Sequence, residues 1–182
     1  MKMKIAILGS TGSIGKSTLT IVKKNKKNFD VVLLSTNKNI RELSKQEKIY
    51  KPKFLIITDY KNNIKFKKRN KNKVKVFNNY NFLKKIFKKK VDYTMSSISG
   101  LYGLNPTLNI IPHTKTIAIA NKESIICGWN LIQSKIKKYK TKFIPVDSEH
   151  FSIWSLIKNV NDDVEKIYIT ASGGPFLNKN NK

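Results

Sequence analysis

Three glycines spaced by three close the first apolar run of the chain, Met3-Lys4-Ile5-Ala6-Ile7-Leu8-Gly9-Ser10-Thr11-Gly12-Ser13-Ile14-Gly15. A strand that turns into a helix through such a run is suited to the pyrophosphate of a dinucleotide. The first glycine permits the sharp turn, the second lets backbone approach a phosphate, and the third lets helix and strand pack closely. The free N–H groups and positive dipole end of the helix then face the anion. Gly15-Lys16-Ser17 also matches the ending of a nucleoside-triphosphate loop. That loop needs a glycine five positions before Gly15, where Ser10 stands, although Phe54 to Asp59 would supply its apolar strand and metal-binding carboxylate.

A second constellation is Pro145-Val146-Asp147-Ser148-Glu149-His150. A strand over 142–146 would deliver two carboxylates two residues apart, and alternate positions of extended chain point the same way. A hard cation, Mg²⁺ or Mn²⁺, takes such oxygen ligands. The same spacing equally allows Asp147 or Ser148 to cap a helix with Glu149 in its first turn. His150 reads as a packed or hydrogen-bonded histidine. Two further stretches follow strand-like runs: Asn121-Lys122-Glu123, and Ala171-Ser172-Gly173-Gly174-Pro175-Phe176. In the latter, exposed backbone N–H groups suit an anionic or polyhydroxyl ligand.

The elements that must position these residues alternate. Strands are expected at 3–8, 30–34, 54–58, 74–77, 91–95, 116–120, 142–146 and 166–170. Helices are expected after Gly15, with Ile14, Thr18, Ile21 and Val22 on one face, and at 40–49, 81–89, 101–111 and 124–138. Residues 61–75, mostly Lys and Asn, read as an exposed connection. The rhythm predicts an α/β fold: a doubly wound, mostly parallel Rossmann-type sheet over 1–144, then the beginning of an incomplete α/β catalytic domain over 145–182. Ligands of such sheets lie at the carboxyl ends of the strands. Gly9 to Gly15, Asn37 to Asn39, Ser96 to Gly100 and Asn121 to Glu123 should therefore gather along one edge. The second strand ends in Ser35-Thr36-Asn37-Lys38-Asn39, with a cation and no acid, which favours NADPH over NADH.

The formal net charge is +26, with 37 Lys and Arg against 11 Asp and Glu. The lysines are scattered among Asn and Ile, residues that share A/T-rich codons, and Arg, the residue of bidentate base contacts, occurs only at 41 and 69. No specific nucleic-acid partner is expected. The apolar runs fall short of the ~20 residues of a membrane span. The first strand begins at once, leaving no room for a leader peptide, and Cys127 is the single cysteine. A cytoplasmic, reducing compartment fits.

Taken in order, Gly9-Ser-Thr-Gly-Ser-Ile-Gly15, Ala120-Asn-Lys-Glu-Ser124, Pro145-Val-Asp-Ser-Glu-His150 and Thr170-Ala-Ser-Gly-Gly-Pro-Phe176 resemble the 1-deoxy-D-xylulose 5-phosphate reductoisomerase family. The likeness spans essentially the whole chain. It implies that Thr11, Gly12, Ser13 and Ile14 hold the NADPH phosphates and that Asn37, Lys38 and Asn39 surround the 2′-phosphate. Asn121 and Glu123 look like cofactor contacts. Lys122, Ser148 and Ser172 look like contacts to a small sugar-phosphate substrate. Asp147 and Glu149 resemble metal ligands for Mg²⁺ or Mn²⁺, and Lys122, Asp147 and Glu149 would form the catalytic set. Family members are much longer homodimers with a third acidic ligand that this chain lacks. The resemblance therefore implies an N-terminal part of such an enzyme with little or no turnover alone; the alternative is a non-catalytic NADPH-binding remnant.

Overall fold

The computed structural model describes residues 1–70, 74–158 and 164–169. It divides into two units, Met1–Val146 and Asp147–Lys182. The first unit holds a seven-stranded sheet. Its elements run β1 (Met3–Leu8), α1 (Ser13–Lys24), β2 (Phe29–Thr36), α2 (Ile40–Tyr50), β3 (Phe54–Ile57), α3 (Tyr60–Arg69) and β4 (Lys75–Phe77). There follow α4 (Leu83–Ile86), β5 (Val91–Ser96), α5 (Leu104–Ile110), β6 (Thr114–Ile119), α6 (Lys122–Tyr139) and β7 (Lys142–Pro145). Every strand pair is parallel, in the order β4-β3-β2-β1-β5-β6-β7. The order reverses at β1, which pairs with β2 on one side and β5 on the other.

The central strands are apolar on both faces because helices cover both. In β1, Ala6 and Leu8 join one buried cluster with Leu33, Ile117 and Ile119, while Ile5 and Ile7 join the other with Leu34, Leu55 and Ala118. The expected doubly wound α/β fold is thus the observed one.

Several elements differ from expectation. In α1 the buried stripe is Gly15, Leu19 and Val22, whereas Ile14 is 38% and Ile21 60% exposed. Gly15 fixes this rotation: a Cβ there would stand 2.4 Å from the Gly9 carbonyl oxygen. Only a glycine can meet that backbone, so position 15 faces the turn and positions 19 and 22 follow it inward.

The connection expected over 61–75 contains α3. Asp59 caps it by accepting from Asn62 N–H at 2.9 Å. Its buried face carries Phe66 and Asn63, whose amide donates to the carbonyls of Ile57 and Phe77. A polar side chain acts as core here, which an apolar-periodicity reading overlooks. Conversely, the helix expected at 81–89 is a single 3₁₀ turn (Tyr80–Phe82) and the four residues of α4. Two helices end on left-handed lysines, Lys51 (φ 47°) and Lys140 (φ 49°).

The second unit contains α7 (Ser148–Ile157). Residues 164–169 have no regular structure, although a strand is expected over 166–170. Ile167, Tyr168 and Ile169 are more than half exposed, and no neighbouring strand among the described residues accepts their backbone hydrogen bonds. The loop at 171–176 lies outside the described residues.

Gly15→Ala separates packing from helix propensity. Propensity alone would raise stability by about 1 kcal/mol. The backbone contact should instead lower it by about 1–3 kcal/mol, read as a fall in the urea unfolding midpoint. A rise would show that the turn relaxes freely.

Candidate functional site

Where the strand order reverses, the carboxyl ends of β1, β2, β3 and β5 border a cleft of about 1030 Å³. Gly9, Thr11 and Gly12 line it from the first turn, Thr36, Asn37 and Lys38 from the end of β2, and Ser97, Ile98 and Ser99 from the end of β5. This is the place where open parallel sheets bind ligands.

The glycine turn is held by a dense set of hydrogen bonds. Gly9 takes φ +77°, and a Cβ there would lie 2.8 Å from the Ser97 carbonyl oxygen. Gly9 N–H donates to Ser35 Oγ at 3.0 Å, and Ser10 N–H donates to the Ser35 carbonyl at 2.9 Å. Thr11 and Thr36 share a hydroxyl–hydroxyl bond of 2.7 Å. Ser35 Oγ is 2.8 Å from the Tyr80 hydroxyl, which burial pushes up to about 12. Ser97 donates to the Leu8 carbonyl from both its N–H and its hydroxyl.

The start of α1 differs from those of the other long helices. Among the described helices of ten or more residues, α2, α3, α6 and α7 are capped by Asn39, Asp59, Asn121 and Asp147. The cap of α1 is Gly12, with no side-chain bond and no acid in its first turn. Its leading N–H groups are left for an anion.

Thr11, Gly12, Asn37 and Lys38 therefore meet in one cleft. Ser13 and Ile14 lie beside it, exposed in the first turn of α1. Asn39 caps α2, accepting from Glu42 N–H at 3.1 Å, and Asn37 donates to Thr58 Oγ1 at 2.8 Å. Asn121 is 3% exposed. It accepts from Ser124 N–H and donates to the carbonyls of Ile98 and Gly100, tying α6 to the loop after β5. Its polar atoms serve the fold. Lys122 and Glu123 are exposed in the first turn of α6, outside the lining. Asp59, the metal carboxylate of a nucleoside-triphosphate loop, is committed to capping α3.

Sequence reading did not single out Tyr80, Asn78, Asn79, Leu101, Tyr102 or Asn105, all of which line the cleft. The run Asn78-Asn79-Tyr80-Asn81 after β4 was the available signal: a polar cluster at a strand end, holding one large side chain.

In the second unit, Asp147 does not continue a strand. It caps α7, so it and Glu149 do not alternate along extended chain as one geometry required; the capping reading is the one the backbone adopts. Asp147 Oδ1 accepts from His150 N–H at 2.9 Å and lies 2.6 Å from His150 Nδ1. Its Oδ2 is buried without a partner. Burial pushes this carboxyl up, but the bonds from His150 outweigh it and hold the group below the usual range. Glu149 Oε2 accepts from Ser148 Oγ at 2.7 Å. Ser172 lies outside the described residues. Among the described residues, no group of three or more His, Cys, Asp or Glu is arranged to hold a metal, and no helix is long and apolar enough to cross a membrane.

The family model for 1-deoxy-D-xylulose 5-phosphate reductoisomerase matches residues 5–128. The chain belongs to this family. The model for the reductoisomerase C-terminal domain matches residues 143–182. The reductoisomerase of Pelagibacter ubique is 62% identical over 179 residues, which cover 96% of this chain and 46% of that one. The solved structure of the 1-deoxy-D-xylulose 5-phosphate reductoisomerase from Zymomonas mobilis in complex with NADPH superposes with a TM-score of 0.75 at 32% identity, covering 82% of this chain and 40% of that one. A DOX-P reductoisomerase in complex with magnesium gives 0.84 at 27% identity, covering 99% and 48%. The chain thus spans about half the length of the reductoisomerases it matches.

Tyr80→Phe removes the hydroxyl that meets Ser35 and should cost about 1 kcal/mol near neutral pH. The folded chain keeps this phenol neutral to a pH higher than the unfolded chain does. Its contribution is full below the ordinary tyrosine value near 10 and fades as pH rises toward about 12. The stability gap between wild type and variant, followed by denaturation from pH 9 to 12, should therefore narrow across that window.

Proposed function

We propose that this chain provides the NADPH-binding domain, residues 1–144, and the start of the catalytic domain, residues 145–182, of a 1-deoxy-D-xylulose 5-phosphate reductoisomerase. The reaction is conversion of 1-deoxy-D-xylulose 5-phosphate to 2-C-methyl-D-erythritol 4-phosphate, a step toward isoprenoid precursors, by a cytoplasmic homodimer with no specific nucleic-acid partner.

The observation that carries the reading is the uncapped start of α1 at the mouth of the cleft where the strand order reverses. A pyrophosphate fits it. Backbone N–H groups of Ser13 and Ile14 donate, Gly12 presents no side chain, and no carboxylate stands in the first turn. Lys38, at an acid-free strand end, suits the adenosine 2′-phosphate, and Asn37 flanks it. Asn39 and Asn121 position these loops through their caps, and Glu123 stays available to the cofactor beyond the lining.

A divalent cation also fits the donors present. The buried, unpartnered Oδ2 of Asp147 is an orphan acceptor of the kind a cation satisfies, and ionisation of the group is already favoured. Asp147 and Glu149 would hold Mg²⁺ or Mn²⁺, with Ser148, Ser172 and Lys122 on the substrate. Bound there, the cation supplies Lewis acidity to the substrate carbonyl, and NADPH supplies the hydride that reduces the rearranged aldehyde. His150 holds Asp147 ionised and oriented through two contacts to Oδ1. The related structures hold NADPH in one case and magnesium in the other, which supports these two cofactors.

Fluorescence titration with NADPH, with NADH and ATP as competitors, tests the cofactor reading. Saturable binding with NADPH preferred is expected, and Lys38→Glu should weaken NADPH by about tenfold or more while changing NADH little. No NADPH binding by the folded chain overturns it. Asp147→Asn keeps an N-cap and so the fold, but should weaken Mn²⁺ binding by about tenfold or more, followed by electron paramagnetic resonance. Unchanged Mn²⁺ affinity removes Asp147 from the ligand set.

A further inference from the structure

We propose that Gln46 is a positioning residue for the dinucleotide, locking the phosphate turn and the 2′-phosphate end of the cleft into one register; the proposal rests on the NADPH reading above. Gln46 sits on the buried face of α2 with Leu43 and is 3% exposed. A primary amide at a core position is costly unless both its ends are matched. Here both ends grip one residue. Gln46 Oε1 accepts from Ser10 Oγ at 2.7 Å, and Gln46 Nε2 donates to the Ser10 carbonyl at 2.9 Å. The orientation of the amide follows from chemistry, because a carbonyl only accepts and must meet the NH₂ end. The Ser10 hydroxyl has a single proton. It lies 3.2 Å from the Ser35 carbonyl and closer to Gln46, so the amide is its principal acceptor.

Ser10 stands inside the turn, between Gly9 and Thr11. Its N–H is already anchored to Ser35 on β2. Gln46 adds a third direction of restraint, from a helix. That helix starts at Ile40, directly after Lys38 and its cap Asn39. One rigid element therefore carries the Lys38 loop at its start and the clamp on Ser10 less than two turns later. Gln46 sets the spacing between the seat of the pyrophosphate and the seat of the 2′-phosphate. A ligand that bridges both seats feels this spacing, and a ligand that occupies one does not.

The test compares two probes on the full 182-residue chain. NADPH spans both seats, and adenosine 2′-monophosphate carries the 2′-phosphate without the pyrophosphate. In Gln46→Leu, NADPH dissociation constants measured by fluorescence should rise about tenfold. That for adenosine 2′-monophosphate, measured by calorimetry, should stay within about twofold. Ser10→Ala should weaken NADPH in the same sense, and Gln46→Leu added to Ser10→Ala should cost less than in the wild type, since the two share one interaction. Gln46→Glu retains the acceptor for Ser10 Oγ but turns a carboxylate oxygen toward the Ser10 carbonyl and the Glu42 carboxylate, both of which the Gln46 NH₂ now faces. This variant should weaken NADPH at least as much as Gln46→Leu. It and Ser10→Ala decide the matter if Gln46→Leu does not fold.

Unfolding midpoints are read on the same samples. A lowered midpoint with NADPH affinity intact, or parallel weakening of both probes, overturns the proposal and makes Gln46 a packing residue. A wild-type chain that binds no NADPH overturns the dinucleotide reading itself, and the proposal with it.

Discussion

The contact between the first turn of α1 and the Gly9 carbonyl governs the structure around it. Position 15 lies so close to that backbone that no side chain can intervene. The contact fixes how α1 is rotated, hence that Leu19 and Val22 meet the sheet and that Ile14 and Ile21 do not. It also fixes where the start of the helix points. The hydrogen bonds of Ser10, Ser35 and Ser97 then hold the turn against β2 and β5, the strands that flank β1. The core and the cleft thus depend on the same few atoms.

Helix capping shows the same division between fold and site. Asn39, Asp59, Asn121 and Asp147 each satisfy a helix start from the residue just before it. These side chains hold loops at strand ends, where ligands bind in such sheets. A polar residue at a strand end therefore has two calls on it, and in Asn121 the structural one takes all its polar atoms. In Asp147 it takes one oxygen and leaves the other buried and unmatched.

Much of this was legible in the sequence. Glycine spacing and alternating apolar runs located β1, α1 and the doubly wound sheet, because turns without side chains and two-sided burial leave direct marks on residue type. The rotation of α1 was not legible from its apolar residues, since the decisive residue was a glycine with no hydropathy to speak of. Helix α3 was hidden because Asn63 does the work of an apolar anchor through hydrogen bonds to Ile57 and Phe77. Tyr80 escaped notice because its importance lies in a bond to Ser35, 45 residues earlier. The choice between cap and strand at Asp147 depended on backbone angles that spacing alone does not encode.

The left-handed lysines at the ends of α2 and α6 bear on how this chain responds to salt. Lysine occupies a conformation there that glycine or asparagine fills at lower cost, about 1–2 kcal/mol per residue. Each helix also has lysine in its last turn, Lys48 in α2 and Lys137 and Lys138 in α6, where positive charge meets the negative end of the helix dipole. Part of the net charge is therefore balanced within the fold by peptide dipoles. Added electrolyte screens the mutual repulsion of the many surface cations, which favours the compact state. It also screens the attraction at each helix end, which opposes it. Ionic strength acts on this protein with two signs at once, one spread over the whole surface and the other confined to the last turns of its helices.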